Sequence, residues 1–248
     1  MTATLPRRRI GMLTPSSNTV LEPATQAMLA ELPSITAHFS RFKVTEIALD
    51  AGALAQFDDT PILAAAELLA HAKVDVISWN GTSASWLGFE KDQRLKERIE
   101  AATGIETTTC ILSLLDILDR IDARSQALVT PYTGDVQAQI ISTYGARGFA
   151  CPAERHLDIR DNFAFGMVAE TTIREMIKEC LAAKPDAVTV LCTNMNGARE
   201  AEALESDSGP LILDSVAVTL WGGLMSIGIR PDALKGWGRI FTDPRLNP

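Results

Sequence analysis

Two short apolar runs, 111 positions apart, are introduced and ended in the same way. Lys73-Val74-Asp75 leads into Val76–Trp79 and then into Asn80, Gly81, Thr82 and Ser83. Lys184-Pro185-Asp186 leads into Ala187–Leu191 and then into Cys192, Thr193 and Asn194. Gly81 stands eight positions after Lys73, and Cys192 eight after Lys184. A second pair agrees: TPSSN at 14–18 and TPYTG at 130–134 each follow an apolar run, 116 positions apart. A short apolar run that stops at small polar residues reads as a buried strand delivering a loop. Two such pairs at a nearly constant offset predict a duplicated architecture.

The stretches between fit it. Strands are predicted at 9–14, 39–47, 74–79, 127–130 and 187–191, and helices at 25–32, 59–72, 90–103, 136–144, 171–183 and 216–227, with Gly104 as a helix stop. Alternating strand and helix argue for an α/β fold with mostly parallel sheets. The expected arrangement is two pseudo-symmetric α/β subdomains, residues 1–120 and 121–248, with the C-terminal helix able to pack back on the first. Loops at the carboxyl ends of parallel strands form the ligand crevice of such sheets. The functional site is therefore expected in the cleft between the halves.

Composition narrows the partners. Of 248 residues, 46% are hydrophobic and 22% charged, with a net charge of −8 and no basic block, which argues against nucleic acid and anionic membrane. No run approaches the roughly 18 apolar residues of a membrane span, and the basic start MTATLPRRRIGML lacks the apolar core of a signal peptide, so a cytoplasmic location is expected. The four cysteines (110, 151, 180, 192) show no CxxC spacing and the three histidines are scattered, so no metal site and no disulfide framework are expected. Cys110, Cys151 and Cys180 read as small buried hydrophobes. Cys192 differs, because it stands where a strand gives way to a polar loop.

TPSSNTVLEP near the start, NGTSAS after the middle strand and LCTNMNGA late in the chain resemble the aspartate/glutamate racemase superfamily, nearest to its maleate cis-trans isomerases and arylmalonate decarboxylases. The resemblance spans nearly the whole chain. It implies two pseudo-symmetric α/β halves, a site between them and no cofactor. Racemases and maleate isomerases of the superfamily use two cysteines, one from each half, whereas the decarboxylases keep the second alone. The repeat places Gly81 at the first position and Cys192 at the second, the one-cysteine pattern. PSSNT, by contrast, is the isomerase-like version of the first loop.

The resemblance implies a small anionic carboxylate substrate, with a homo-oligomer compatible with the sequence. Loss of CO2 from a malonate-type acid leaves an enediolate, whose charge must be held by hydrogen-bond donors when no metal is used. One aimed donor lowers such a barrier by roughly 3 kcal/mol. Thr82 and Ser83 supply hydroxyls and backbone N–H groups at one strand end. Tyr132 adds a phenol where the related decarboxylases carry a tyrosine. Cys192 is then the acid that delivers a proton to one face of the carbanion. Asn18 and the backbone around Ser16 and Ser17 are expected to take a carboxylate, with Gly81, Thr193 and Asn194 beside them. Asn162 matches an asparagine that contacts substrate in the maleate isomerases. If Gly81 faces Cys192, a cysteine at 81 is expected to add a second acid and make the enzyme racemise.

Each residue has a plainer reading. Thr82 and Ser83 suit a helix cap, Asn18 suits the cap of a helix beginning near Leu21, Tyr132 suits packing after Pro131, and Trp79 and Trp86 suit either core or an apolar substrate wall. An isomerase- or racemase-like enzyme on a small dicarboxylate, and an inactive dicarboxylate-binding protein, stand as alternatives.

Overall fold

The computed structural model describes residues 7–47, 49, 59–206 and 209–247. The first half runs β1 (Arg8–Pro15), α1 (Leu21–Leu29), β2 (Ile35–Phe42), α2 (Asp59–His71), β3 (Val76–Trp79), α3 (Ala84–Leu87), α4 (Phe89–Thr103), β4 (Thr107–Thr109) and α5 (Cys110–Arg120). The second runs β5 (Gln126–Thr130), α6 (Gly134–Ala146), β6 (Glu154–His156), α7 (Asn162–Phe165), α8 (Glu170–Leu181), β7 (Ala187–Val190), α9 (Ala198–Leu204), β8 (Leu211–Asp214) and α10 (Ser215–Ser226), followed by a 3-10 turn at Arg239–Phe241. Each half builds one four-stranded sheet whose strands all pair in parallel, in the order β2-β1-β3-β4 and β6-β5-β7-β8. The two orders are the same order, which is the duplication seen from the backbone.

The repeated Lys-x-Asp triplets have a physical role. Lys73 and Lys184 both adopt φ of 52°, a left-handed conformation that turns the chain off the preceding helix toward the sheet. Two residues later the aspartate ties neighbouring strands together at their starts. Asp75 accepts from the Arg9 N–H at 2.7 Å, and Asp186 accepts from the Arg124 and Ser125 N–H groups at 2.8 Å. These backbone bonds hold each carboxyl below its ordinary range, with the neighbouring arginines adding to the effect and partial burial opposing it.

The central strands fall close to where the apolar runs place them. The outer strands do not. β2 covers Ile35–Phe42 rather than 39–47, and β4, β6 and β8 have no counterpart in the sequence reading. β2 and β6 sit at sheet edges with polar, partly exposed side chains, so they show no continuous apolar run. β4 and β8 are three and four residues long, too short to show a period.

The C-terminal helix joins the halves. α10 leaves β8 of the second sheet, capped by Asp214 Oδ1, which accepts from the Val216 and Ala217 N–H groups at 2.8 and 3.2 Å. It then packs on α5, β3 and β4 of the first half and is buried from Ser215 to Leu224. Gly222 and Gly223 permit this close approach, since a Cβ on either would lie 2.1 Å from Ser113 Oγ or 2.9 Å from Ser78 Oγ. No helix among the described residues is long and apolar enough to cross a membrane.

Candidate active site

The strand-end loops of the two sheets meet and are laced together. The Asn18 side-chain amide donates to the Thr193 carbonyl at 3.0 Å and to its hydroxyl at 3.3 Å. The Thr193 hydroxyl donates onward to the Asn80 carbonyl at 3.0 Å. Asn194 Oδ1 accepts from the Thr19 N–H at 2.9 Å, and its amide donates to the Asn162 carbonyl. The Asn162 amide donates to Ser17 Oγ at 2.7 Å, while Glu46 and Asp161 form an antiparallel bridge between the halves. Buried polar groups persist when paired, so these contacts also fix how the loops sit.

Four of the expected substrate contacts have side chains engaged with protein groups. Ser16 and Ser17 spend their hydroxyls on the Val44 carbonyl, at 3.2 and 2.7 Å. Asn18 Oδ1 accepts from the Val20 and Leu21 N–H groups at 3.0 and 2.9 Å, the cap that starts α1. Asn194 is spent on Thr19 and Asn162. None of the four lines the cavity between the loops, and their side-chain bonds brace those loops.

The other expected residues do converge. Gly81, Thr82, Ser83, Tyr132, Asn162, Cys192 and Thr193 line one small cavity of about 30 Å3, closed by Val44, Ile47, Trp79 and Trp86. The Thr82 hydroxyl and Tyr132 phenol meet across the halves at 2.7 Å. Tyr132 is held by edge contacts to Trp86 and Phe165, with ring centroids 5.2 and 5.6 Å apart. Ser83 precedes α3 but makes no capping bond, and its hydroxyl has no partner among the described residues. The backbone N–H groups of Gly81, Thr82, Ser83, Cys192 and Thr193 likewise make no hydrogen bond among the described residues. Donors left unpaired beside a cavity are suited to an anion.

Cys192 is buried at the end of the second central strand, and the Asn194 N–H donates to its sulfur at 3.4 Å. Burial pushes the thiol up to about 12, with the Asn194 N–H and the nearby Tyr132 pulling the other way. Burial also lifts the Tyr132 phenol well above its usual 10. Both groups are therefore neutral donors at neutral pH. Among the other cysteines, Cys110 and Cys180 are buried and donate to the Ser215 and Leu128 carbonyls. Cys151 is only partly buried, which departs from its sequence reading.

Two features escaped sequence reasoning. Val44 and Ile47 were assigned to a strand but form irregular backbone that walls the cavity. Their only signal was an apolar character shared with any strand. The expectation that position 81 has room for a second thiol also fails: a Cβ there would lie 2.2 Å from Trp79 Cζ2, far inside contact distance. No local pattern reports that an indole two residues away fills this space.

Two matched α/β halves with a strand-end thiol and unpaired donors between them define the aspartate/glutamate racemase type of architecture. The chain belongs to the arylmalonate decarboxylase family, whose sequence profile matches residues 17–241. Among characterised relatives it is 24% identical to a maleate isomerase of Nocardia farcinica, covering 94% of this chain and 95% of the relative. It is likewise 24% identical to the arylmalonate decarboxylase of Bordetella bronchiseptica, covering 94% and 96%. The fold matches a cysteine-to-alanine variant of the maleate isomerase of Pseudomonas putida S16 in complex with maleate, with a TM-score of 0.87 at 21% identity over 96% of this chain and 99% of that one.

Proposed function

We propose that the protein is a cofactor-independent decarboxylase of a malonate-type dicarboxylic acid. The observation that carries this reading is the pairing of Gly81 with Cys192: one thiol lines the cavity, and the matching place in the other half holds no side chain. In the reaction the bond from the α-carbon to one carboxyl breaks and its electron pair stays behind as CO2 departs. The remaining carboxyl becomes an enediolate. The Thr82–Tyr132 pair, the Ser83 hydroxyl and the unpaired N–H groups of residues 81–83 face the developing oxyanions as neutral donors. The Cys192 S–H then forms a C–H bond at the α-carbon, and the resulting thiolate recovers a proton from water.

The state of the thiol favours this role. A thiol held neutral up to about 12 is poised to give a proton to a carbanion rather than to attack as a thiolate.

A maleate isomerase-like reaction is the second reading, supported by the named isomerase relative and by the PSSNT loop. It needs a nucleophile that adds to the double bond, and at the site only Cys192 could serve. Proton NMR in D2O with malonates, maleate and amino acids separates the readings. CO2 loss with one solvent deuteron at the α-carbon supports the decarboxylase. Conversion of maleate to fumarate with no malonate turnover replaces it with the isomerase, and binding without product replaces both with a carrier.

A further inference from the structure

Trp79 ends β3, and Gly81 follows two positions later on the same side of the chain. A Cβ built on Gly81 would lie 2.2, 2.3 and 2.7 Å from Cζ2, Cε2 and Nε1 of the Trp79 indole. The ring has little freedom to retreat. It is 2% exposed and packs on Phe42, with centroids 4.9 Å apart and planes tilted by 39°. Glycine at 81 is thus the space the indole occupies. Trp79 and Cys192, from opposite halves, line the same cavity of about 30 Å3. Trp79 and Trp86, both buried, are the two largest side chains that line that cavity. Behind the indole lies a second cavity of about 110 Å3, lined by Trp79, Ser83, Leu87 and Asp92 among others. The indole and the Asp92 carboxyl line this second cavity together, and the Trp79 side chain works against the effect of burial on that carboxyl.

We propose that Trp79 is the specificity-determining residue of this site. Its indole takes the place where a second acid or base would stand, and it sets the size of the α-substituent that fits between the halves. The inference rests on the carbanion reading above for its stereochemical part. Its steric part is independent of any turnover. Replacing Trp79 joins the two cavities and admits larger acids, and it also makes room for a side chain at position 81.

The test uses the full chain in four forms: native, Trp79→Ala, Gly81→Cys and the double variant. Thermal unfolding gives the steric answer. Gly81→Cys is expected to lower Tm by several degrees in the native background and by clearly less beside Trp79→Ala. Additive losses would overturn the clash. Calorimetric binding of malonate and benzylmalonate gives the specificity answer, with Trp79→Phe as a milder variant should Trp79→Ala fold poorly. Trp79→Ala is expected to improve benzylmalonate relative to malonate at least tenfold, and Trp79→Phe to move the ratio the same way. An unchanged ratio, or no binding of either acid to any form, overturns the proposal. Absence of CO2 release from every malonate by the native enzyme would instead sink the decarboxylase reading, while binding and unfolding still decide the role of Trp79.

Discussion

The Thr82 hydroxyl and the Tyr132 phenol, fifty residues apart in the chain, sit 2.7 Å from each other on opposite sides of the boundary between the halves. Both side chains are buried and line the cavity between the halves. In the proposed reaction the pair acts as one donor unit. Thr82→Ala and Tyr132→Phe are each expected to lower kcat by about tenfold to a thousandfold with a smaller change in KM, as donors aimed at transition-state charge do. Their double variant is expected to lose much less than the product of the two. Steady-state kinetics on the accepted acid checks this, and changes confined to KM would make them ordinary substrate contacts.

Cys192→Ser is expected to remove nearly all activity while far-UV circular dichroism and Tm stay close to native. The hydroxyl keeps the approximate volume but is a much weaker acid. Cys110→Ser, Cys151→Ser and Cys180→Ser are expected to leave turnover nearly intact, with stability losses at the two buried positions. Near-native turnover of Cys192→Ser would take this residue out of the mechanism.

The elevated thiol also predicts pH behaviour. An ordinary thiol ionises near 9, whereas Cys192 holds its proton up to about 12. Activity is therefore expected to persist through pH 9 to 10, with no loss centred on the ordinary thiol value. Alkylation of Cys192 by iodoacetamide is expected to stay slow over that range. Between about 9 and 12 the folded state keeps a proton that the unfolded chain releases, so Cys192 makes stability fall as pH rises through that window. Rapid alkylation near pH 9 in the native protein that is absent from Cys192→Ser, or a loss of native activity centred on pH 9, would contradict the assignment.

Two buried carboxyls act in the same direction at lower pH. Burial raises Asp92 and Asp214 from 3.8 to about 7. Below 3.8 both states are protonated and the groups cost nothing. From there to about 7 the folded state holds protons the unfolded chain has lost, so the penalty grows with pH and is complete above 7. The full shift corresponds to about 4 kcal/mol per group. Asp92→Asn is expected to raise Tm more at pH 8 than at pH 4. Tm measured across that range checks it, and a parallel shift at all pH values would refute the buried titration.

The sequence by itself determined the α/β class, the duplication and the loops that carry the chemistry. Central strands are buried on both faces, so they appear as plain apolar runs, and the Lys-x-Asp triplets repeat because both sheets need the same turn and the same strand tie. Gly81, Thr82, Ser83, Cys192 and Thr193 could be named because they follow the ends of parallel strands, and Tyr132 and Asn162 because the family resemblance implied them. Only the tertiary structure decided how those residues divide their labour. Asn18 and Thr193 are 175 positions apart, and no local pattern can tell a side chain that binds a carboxylate from one that braces a neighbouring loop. The same holds for Trp79. An aromatic residue at a strand end is compatible with core or with a pocket wall. Volume is a property of everything that surrounds a point in space, so only the packed halves show that this indole fills the place where a second cysteine would stand.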